Sequence, residues 1–190
     1  MSPDSSVSTA HLQLLRRTAI KLRRHVVESV HHAGAGHLGG PMSAAEILTA
    51  LYFDVMNIDP SNPQNPDRDR FILSKGHCSI GLYAAPALRG YFPEEELLTF
   101  DAIDSRLQGH PDMAVLPGLD MSTGSLGQGL SPGIGMALAG EPRRPLAILR
   151  LADGRDRRPR LRAGDRRPVT RHVMPMARPH SLSHARSKAR

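Results

Sequence analysis

Between residues 10 and 31, Leu12, Leu15, Ala19, Leu22, Val26 and Val30 recur at steps of three and four, with Arg16, Arg17, Lys21, Arg23 and Arg24 largely outside that stripe. This spacing predicts an amphipathic helix with a solvated basic face. A second helix is predicted from Ser43: Ser43 and Glu46 make an S-x-x-E capping box, and Ile47, Leu48, Leu51, Tyr52 and Val55 carry an apolar face to about Asn57. The polar, proline-punctuated stretch NIDPSNPQNPDRDR is a loop, and RFIL after it is a short apolar strand. SKGH then leads into small residues that read as a helix from about Gly76 to Arg89, with Pro86 expected to kink it. Pro93 followed by Glu94, Glu95 and Glu96 opens another helix, because proline suits a first turn and carboxylates suit its positive end. The glycines at 124, 127 and 129 precede an apolar, small-residue helix, and LAILRL is the one strand candidate among residues 141–190.

At 190 residues the chain has the length of one domain with its own core. Its formal net charge of +7 points to nucleic acid until the charge is located. Residues 1–140 hold 10 Lys+Arg against 14 Asp+Glu, whereas residues 141–190 hold 15 against 4. The basic character therefore belongs to the tail. That tail has six prolines and no aromatic residue, so it lacks the stacking platforms of single-strand binders, and weak binding at most is expected. With little apolar surface to offset its ordering entropy, it is expected to be irregular. One cysteine, Cys78, excludes a disulfide within the chain, and no apolar run reaches the roughly 20 residues of a membrane span. The N-terminal MSPDSSVSTA shows no signal pattern, so a cytoplasmic setting without membrane contact is expected.

Three Gly-His pairs carry the candidate chemistry: His37 in AGHLGG, His77 in SKGHCS and His110 in QGHPDM. Each imidazole follows a glycine in a turn, where backbone and ligand can approach closely. Their separations do not suit a helical or finger-type metal site, so a polar pocket for a hydroxylated or phosphorylated ligand fits better. Taken singly, each reads first as a residue that caps a turn or satisfies a buried carbonyl. His31 and His32 belong to a helix end, and Cys78 reads as a buried structural thiol. The loop STGSLGQG has the spacing G-x-x-G-x-G, neither the dinucleotide fingerprint nor a P-loop. It suits an anion site at a helix start and tight helix packing equally well.

Four motifs in order, GHLGGPMSAAEIL, FILSKGH, QGHPD and STGSLGQGLSPGIGMALA, closely resemble the start of transketolase, particularly the N-terminal subunit of split transketolases. The resemblance covers residues 10–140. It implies an α/β, doubly wound thiamine-diphosphate-binding fold over residues 1–140, incomplete here, with residues 141–190 as a separate basic tail. It also implies transfer of a two-carbon ketol unit between sugar phosphates. By the same resemblance His37 contacts substrate hydroxyls, His110 the ketol portion of the donor, and His77 the cofactor's diphosphate. Gly124, Ser125 and Leu126 supply the loop against the cofactor. A partner subunit with the pyrimidine-binding domain, supplying the activating Glu, is implied as well, making a hetero-oligomer. The alternatives are a thiamine-diphosphate enzyme with another ketol donor, a nucleic-acid-binding protein, or a fragment that competes for transketolase partners.

The family follows this region with an apolar strand ending in Gly-Asp-Gly and an Asn about 30 residues later, hard oxygen ligands for Mg²⁺. Here Asp153-Gly154 and Gly164-Asp165 are the nearest matches, neither is expected to follow an apolar strand, and the last asparagine is Asn65. No Mg²⁺ ligand is assigned, and the chain alone is expected to be inactive. A reading-frame change near residue 140 in a GC-rich gene accounts for both halves. One codon choice for PRLRA, read a base later, encodes Arg-Val-Tyr-Val-Leu, a version of the missing strand.

Overall fold

A computed structural model describes residues 8–139 and the backbone of two later strands, 146–151 and 173–176. Helix α1 spans Thr9–Ala33; Ser8 accepts a hydrogen bond from the His11 amide (3.2 Å), and Gly34 closes the helix at φ 66°. Ala19, Leu22 and Val26 of the stripe are buried, while Leu12 stays exposed and Leu15 half-buried: the first turns project beyond the core. His31 and His32 lie in the last turn, both exposed.

Helix α2 runs Gly39–Ala50 and continues as a wider π turn over Leu51–Val55. The expected capping box at Ser43 does not form, because the helix begins four residues earlier. Ser43 Oγ donates to the Gly40 carbonyl inside the helix (2.9 Å), and Glu46 instead accepts from Arg23 of α1 (2.5 Å). Strand β1 is Arg70–Leu73, as RFIL predicts. A single 3₁₀ turn, Gly76–Cys78, then leads into α3, Ser79–Arg89, buried from Ser79 to Ala87 and running three residues past Pro86. After Pro93 the chain makes a 3₁₀ turn, Glu94–Thr99, rather than an α-helix. Two of its carboxylates are taken up by other elements: Glu94 by Lys21 and His25 of α1 (both 2.7 Å), Glu96 by Arg106 (2.5 and 2.9 Å). Helix α4 is Leu130–Ala139.

The core lies where α1, α2 and α3 pack together over Phe71 and Leu73 of β1, around Leu22, Val26, Leu48, Tyr83 and Leu97. Strands β2 (Leu146–Leu151) and β3 (Val173–Met176) extend β1 into a parallel sheet of order β1-β2-β3, with Ile72 opposite Ile148 and Ile148 opposite Val173. A parallel pair joined by a long helical crossover is the unit of a doubly wound fold. LAILRL is thus a strand as expected. β3 is a strand within a tail expected to be irregular. Its Pro175, which cannot donate to a ladder, sits on the outer strand of the described sheet. β2 ends two residues before Asp153, so that Asp-Gly pair does follow an apolar strand, contrary to expectation. Asp153 and Asp165 themselves lie outside the described residues. No helix among the described residues is long and apolar enough to cross a membrane.

Candidate functional site

In parallel α/β sheets ligands gather beyond the carboxyl ends of strands. Here that end of β1 passes straight into Ser74, Lys75, Gly76 and His77. The glycine loop is fastened to the end of β1 and the residue after it. Thr123 Oγ1 donates to the Leu73 carbonyl (2.7 Å), the Gly127 amide to the Ser74 carbonyl (3.0 Å), and the Gly129 amide to Ser74 Oγ (2.9 Å). Further back, the buried Asp120 carboxylate accepts from both terminal nitrogens of Arg68 (3.1 and 2.7 Å), from Arg70 (3.0 Å) and from the Phe71 amide (2.8 Å). The segment entering the loop is therefore pinned to β1 before the loop begins.

The loop's glycines have different work. Gly129 packs: a Cβ there would fall 2.8 Å from Ile72 Cγ2 and 3.1 Å from Ser74 Cα. Gly127 turns the chain at φ 83°, in open space. Gly124 faces His110, whose Cδ2 is 3.8 Å from where a Cβ would stand. Gly76 allows the two loops to touch, since a Cβ on it would collide with the Thr123 carbonyl and lie 2.7 Å from the Gly124 nitrogen. The amides of Gly127, Gln128, Gly129 and Leu130 all donate within the fold, while those of Gly124, Ser125 and Leu126 meet no acceptor among the described residues. Three consecutive N–H groups are thus left for a ligand or water.

The three predicted histidines come together here although 40 and 33 residues separate them in sequence. The rings of His37 and His77 lie edge to face with centroids 5.1 Å apart. Gly40 keeps the start of α2 close: a Cβ on it would meet His77 Nε2 at 3.8 Å and collide with Cys78 Sγ. His37 and His110 are exposed and His77 half-buried. Burial, then the positive neighbours His37, Lys75 and His110, hold the His77 imidazole below its ordinary range. Lys75, fully buried, donates to the Gly40 carbonyl (3.3 Å), and burial lowers its ammonium as well. Cys78 is buried and its thiol is pushed up, the setting of an inert structural cysteine. Ser125 and Leu126 are exposed at the loop tip.

The match that decides the family covers both halves of this arrangement. Residues 15–145 fit the family model of the transketolase thiamine diphosphate binding domain. The chain belongs to the transketolase family. Transketolases are transferases. The 6-deoxy-6-sulfo-D-fructose transketolase subunit SqwG of Clostridium sp. (strain MSTE9) is 51% identical over 125 residues, covering 66% of this chain and 46% of that protein. An apulose-4-phosphate transketolase subunit of Phocaeicola vulgatus is 44% identical over 128 residues, covering 67% and 45%. Among solved structures, transketolase from Leishmania mexicana superposes with a TM-score of 0.68 at 30% identity, over 72% of this chain and 22% of that one. The Campylobacter jejuni enzyme gives 0.67 at 32%, over 74% and 24%. The chain thus spans less than half the length of the curated relatives it matches.

Lys75, Ser74 and Thr123 do not stand out as site residues in the sequence pattern. Lys75 and Ser74 fall inside FILSKGH, but only the seating of the glycine loop on β1 reveals what they do. Among the described residues no group of three or more His, Cys, Asp or Glu is placed to hold a metal ion, and no Mg²⁺ ligand is assigned.

Proposed function

We propose that this chain forms the diphosphate-binding half of a transketolase that moves a two-carbon ketol unit between sugar phosphates. The observation that carries the proposal is the row of Gly124, Ser125 and Leu126 amides, without acceptors among the described residues, in the loop that meets Gly76 and His110. Backbone donors of this kind suit phosphate oxygens. The positive neighbours that lower His77 favour an anion in the same place. The donor set therefore fits the diphosphate of thiamine diphosphate, with His77 beside the loop amides.

When bound, thiamine diphosphate supplies the electron sink for carbanion chemistry. The chain's own residues bind, orient and move protons. His77, held neutral, donates through one ring nitrogen and accepts through the other. His37, exposed beside it, faces the substrate hydroxyls, and His110, against Gly124, the ketol portion of the donor. Imidazoles able to give or take a proton near neutral pH suit repeated transfers to sugar oxygens. Mg²⁺ accompanies the diphosphate in this reading without an assigned ligand. The pyrimidine-binding domain and its activating Glu come from a partner subunit in a hetero-oligomer, a reading supported by relatives named as subunits. The ketol donor need not be an ordinary sugar phosphate: the relative named for 6-deoxy-6-sulfo-D-fructose favours a wider range.

The chain alone is expected to give no ketol transfer with cofactor and Mg²⁺, and transfer is expected only with a pyrimidine-domain partner. Turnover by the chain alone that disappears in His77→Ala would contradict the divided site. A folded pair that neither binds cofactor nor turns over would remove the reading itself.

A further inference from the structure

The peptide before His110 is gripped from two sides. Asp101, with φ 60°, is the one non-glycine residue of positive φ among the described residues. Aspartate tolerates that region better than most side chains. Its Oδ1 accepts the Gly109 amide (3.1 Å), and its own amide donates to the Leu107 carbonyl (2.9 Å). On the other side, Ser79 Oγ donates to the Gly109 carbonyl (2.8 Å) and Tyr83 Oη to the Gln108 carbonyl (2.8 Å). Ser79 is fully buried and is the first residue of α3, directly after the turn that carries His77 and Cys78. One hydroxyl thereby ties the backbone that bears His77 to the backbone that bears His110.

We infer that Ser79 and Asp101 are positioning residues for His110, holding its exposed imidazole over Gly124 at a fixed offset from His77. Without them the Gly109 amide loses its acceptor and the Gly109 carbonyl its donor, and no hydrogen bond described for the His110 ring holds it otherwise. Orientation matters because a positioned proton donor acts only within hydrogen-bond reach of its target. The inference rests on the functional reading for what His110 faces, but the brace itself is independent of it.

The test uses the full chain without cofactor. In Asp101→Gly, which keeps the positive φ and removes the carboxylate, the Gly109 amide should exchange with solvent about tenfold faster, the loss of one hydrogen bond to a charged partner. In Ser79→Ala, which removes the donor to the Gly109 carbonyl and leaves that amide its acceptor, the Gly109 carbonyl carbon resonance should shift. The His110 ring resonances should move toward those of a free histidine. Asp101→Asn keeps an acceptor oxygen and should restore the Gly109 exchange and the His110 resonances. Inorganic diphosphate should still perturb the Gly124–Leu126 amides in all three variants. Unchanged Gly109 exchange in Asp101→Gly, an unchanged Gly109 carbonyl in Ser79→Ala, or unmoved His110 resonances in either would overturn the brace, as would failure of Asp101→Asn to rescue the Asp101→Gly changes. Absence of a diphosphate response in the unmutated chain counts against the functional reading and leaves the His110 measurement decisive for the brace.

Discussion

His77 is the residue whose chemistry depends most on its neighbours. Its imidazole is held below the ordinary value of 6.5 by burial and by His37, Lys75 and His110. As pH falls through that ordinary value the unfolded chain takes up the proton before the folded one does, so this site costs stability progressively down to the folded pKa. Denaturation midpoints measured between pH 7.5 and 5 should therefore fall less in His77→Gln than in the unmutated chain. An identical fall would mean that the imidazole is not perturbed. An anion on the loop acts in the opposite sense: added diphosphate should raise the His77 titration, as followed by its ring protons in NMR. Gly76 is the other sensitive position. Alanine there drives a carbon into the Thr123 carbonyl, which only movement of the backbone can relieve. Gly76→Ala is expected to cost about 1–3 kcal/mol in urea unfolding. A neutral result would mean that the two loops do not touch.

At the scale of elements, the Asp120 clasp sets where the glycine loop lies on β1. Arg68 and Asp120 have side chains only 4% and 1% exposed. Asp120→Ala leaves a buried guanidinium without its carboxylate and should cost about 3–5 kcal/mol by denaturant titration. A loss below about 1 kcal/mol, the range of surface pairs, would show that the clasp is solvated. No local pattern announces this pairing, because Arg68 and Asp120 are separated by 52 residues. What the local pattern does reveal is α1, β1 and α3, where spacing and burial agree. It misplaces the start of α2: Glu46, which looks like half of a capping box, is drawn instead to Arg23 across the α1–α2 contact. The three Gly-His pairs are legible as turn residues, yet only the packing of α2 and the two loops around β1 puts their rings in one place. β3 escapes notice because its four residues include a proline, which an outer strand tolerates.

For the whole molecule, residues 15–145 match the transketolase domain and two strands, β2 and β3, continue the parallel sheet, while the net +11 of residues 141–190 sets their composition apart from the rest of the chain. Charge of this kind binds duplexes through counterion release, indifferent to sequence. Binding should therefore be weak and vanish in moderate salt; tight, sequence-selective binding at physiological salt would favour a nucleic-acid role. Sequencing the gene in all frames beyond codon 140 checks the frame-change reading, which expects Gly-Asp-Gly and a later Asn in another frame. The central claim is that the β1 end and the 124–126 loop form one cofactor site, and the most direct measurement is a titration of the isotope-labelled chain, paired with a pyrimidine-domain subunit, with thiamine diphosphate and Mg²⁺. Saturable shifts are expected, concentrated in the Gly124, Ser125 and Leu126 amides and the His77 ring, and abolished when His77→Ala is combined with Gly124→Pro. Saturable binding that leaves those four positions unmoved, or no binding by a folded pair, would contradict it.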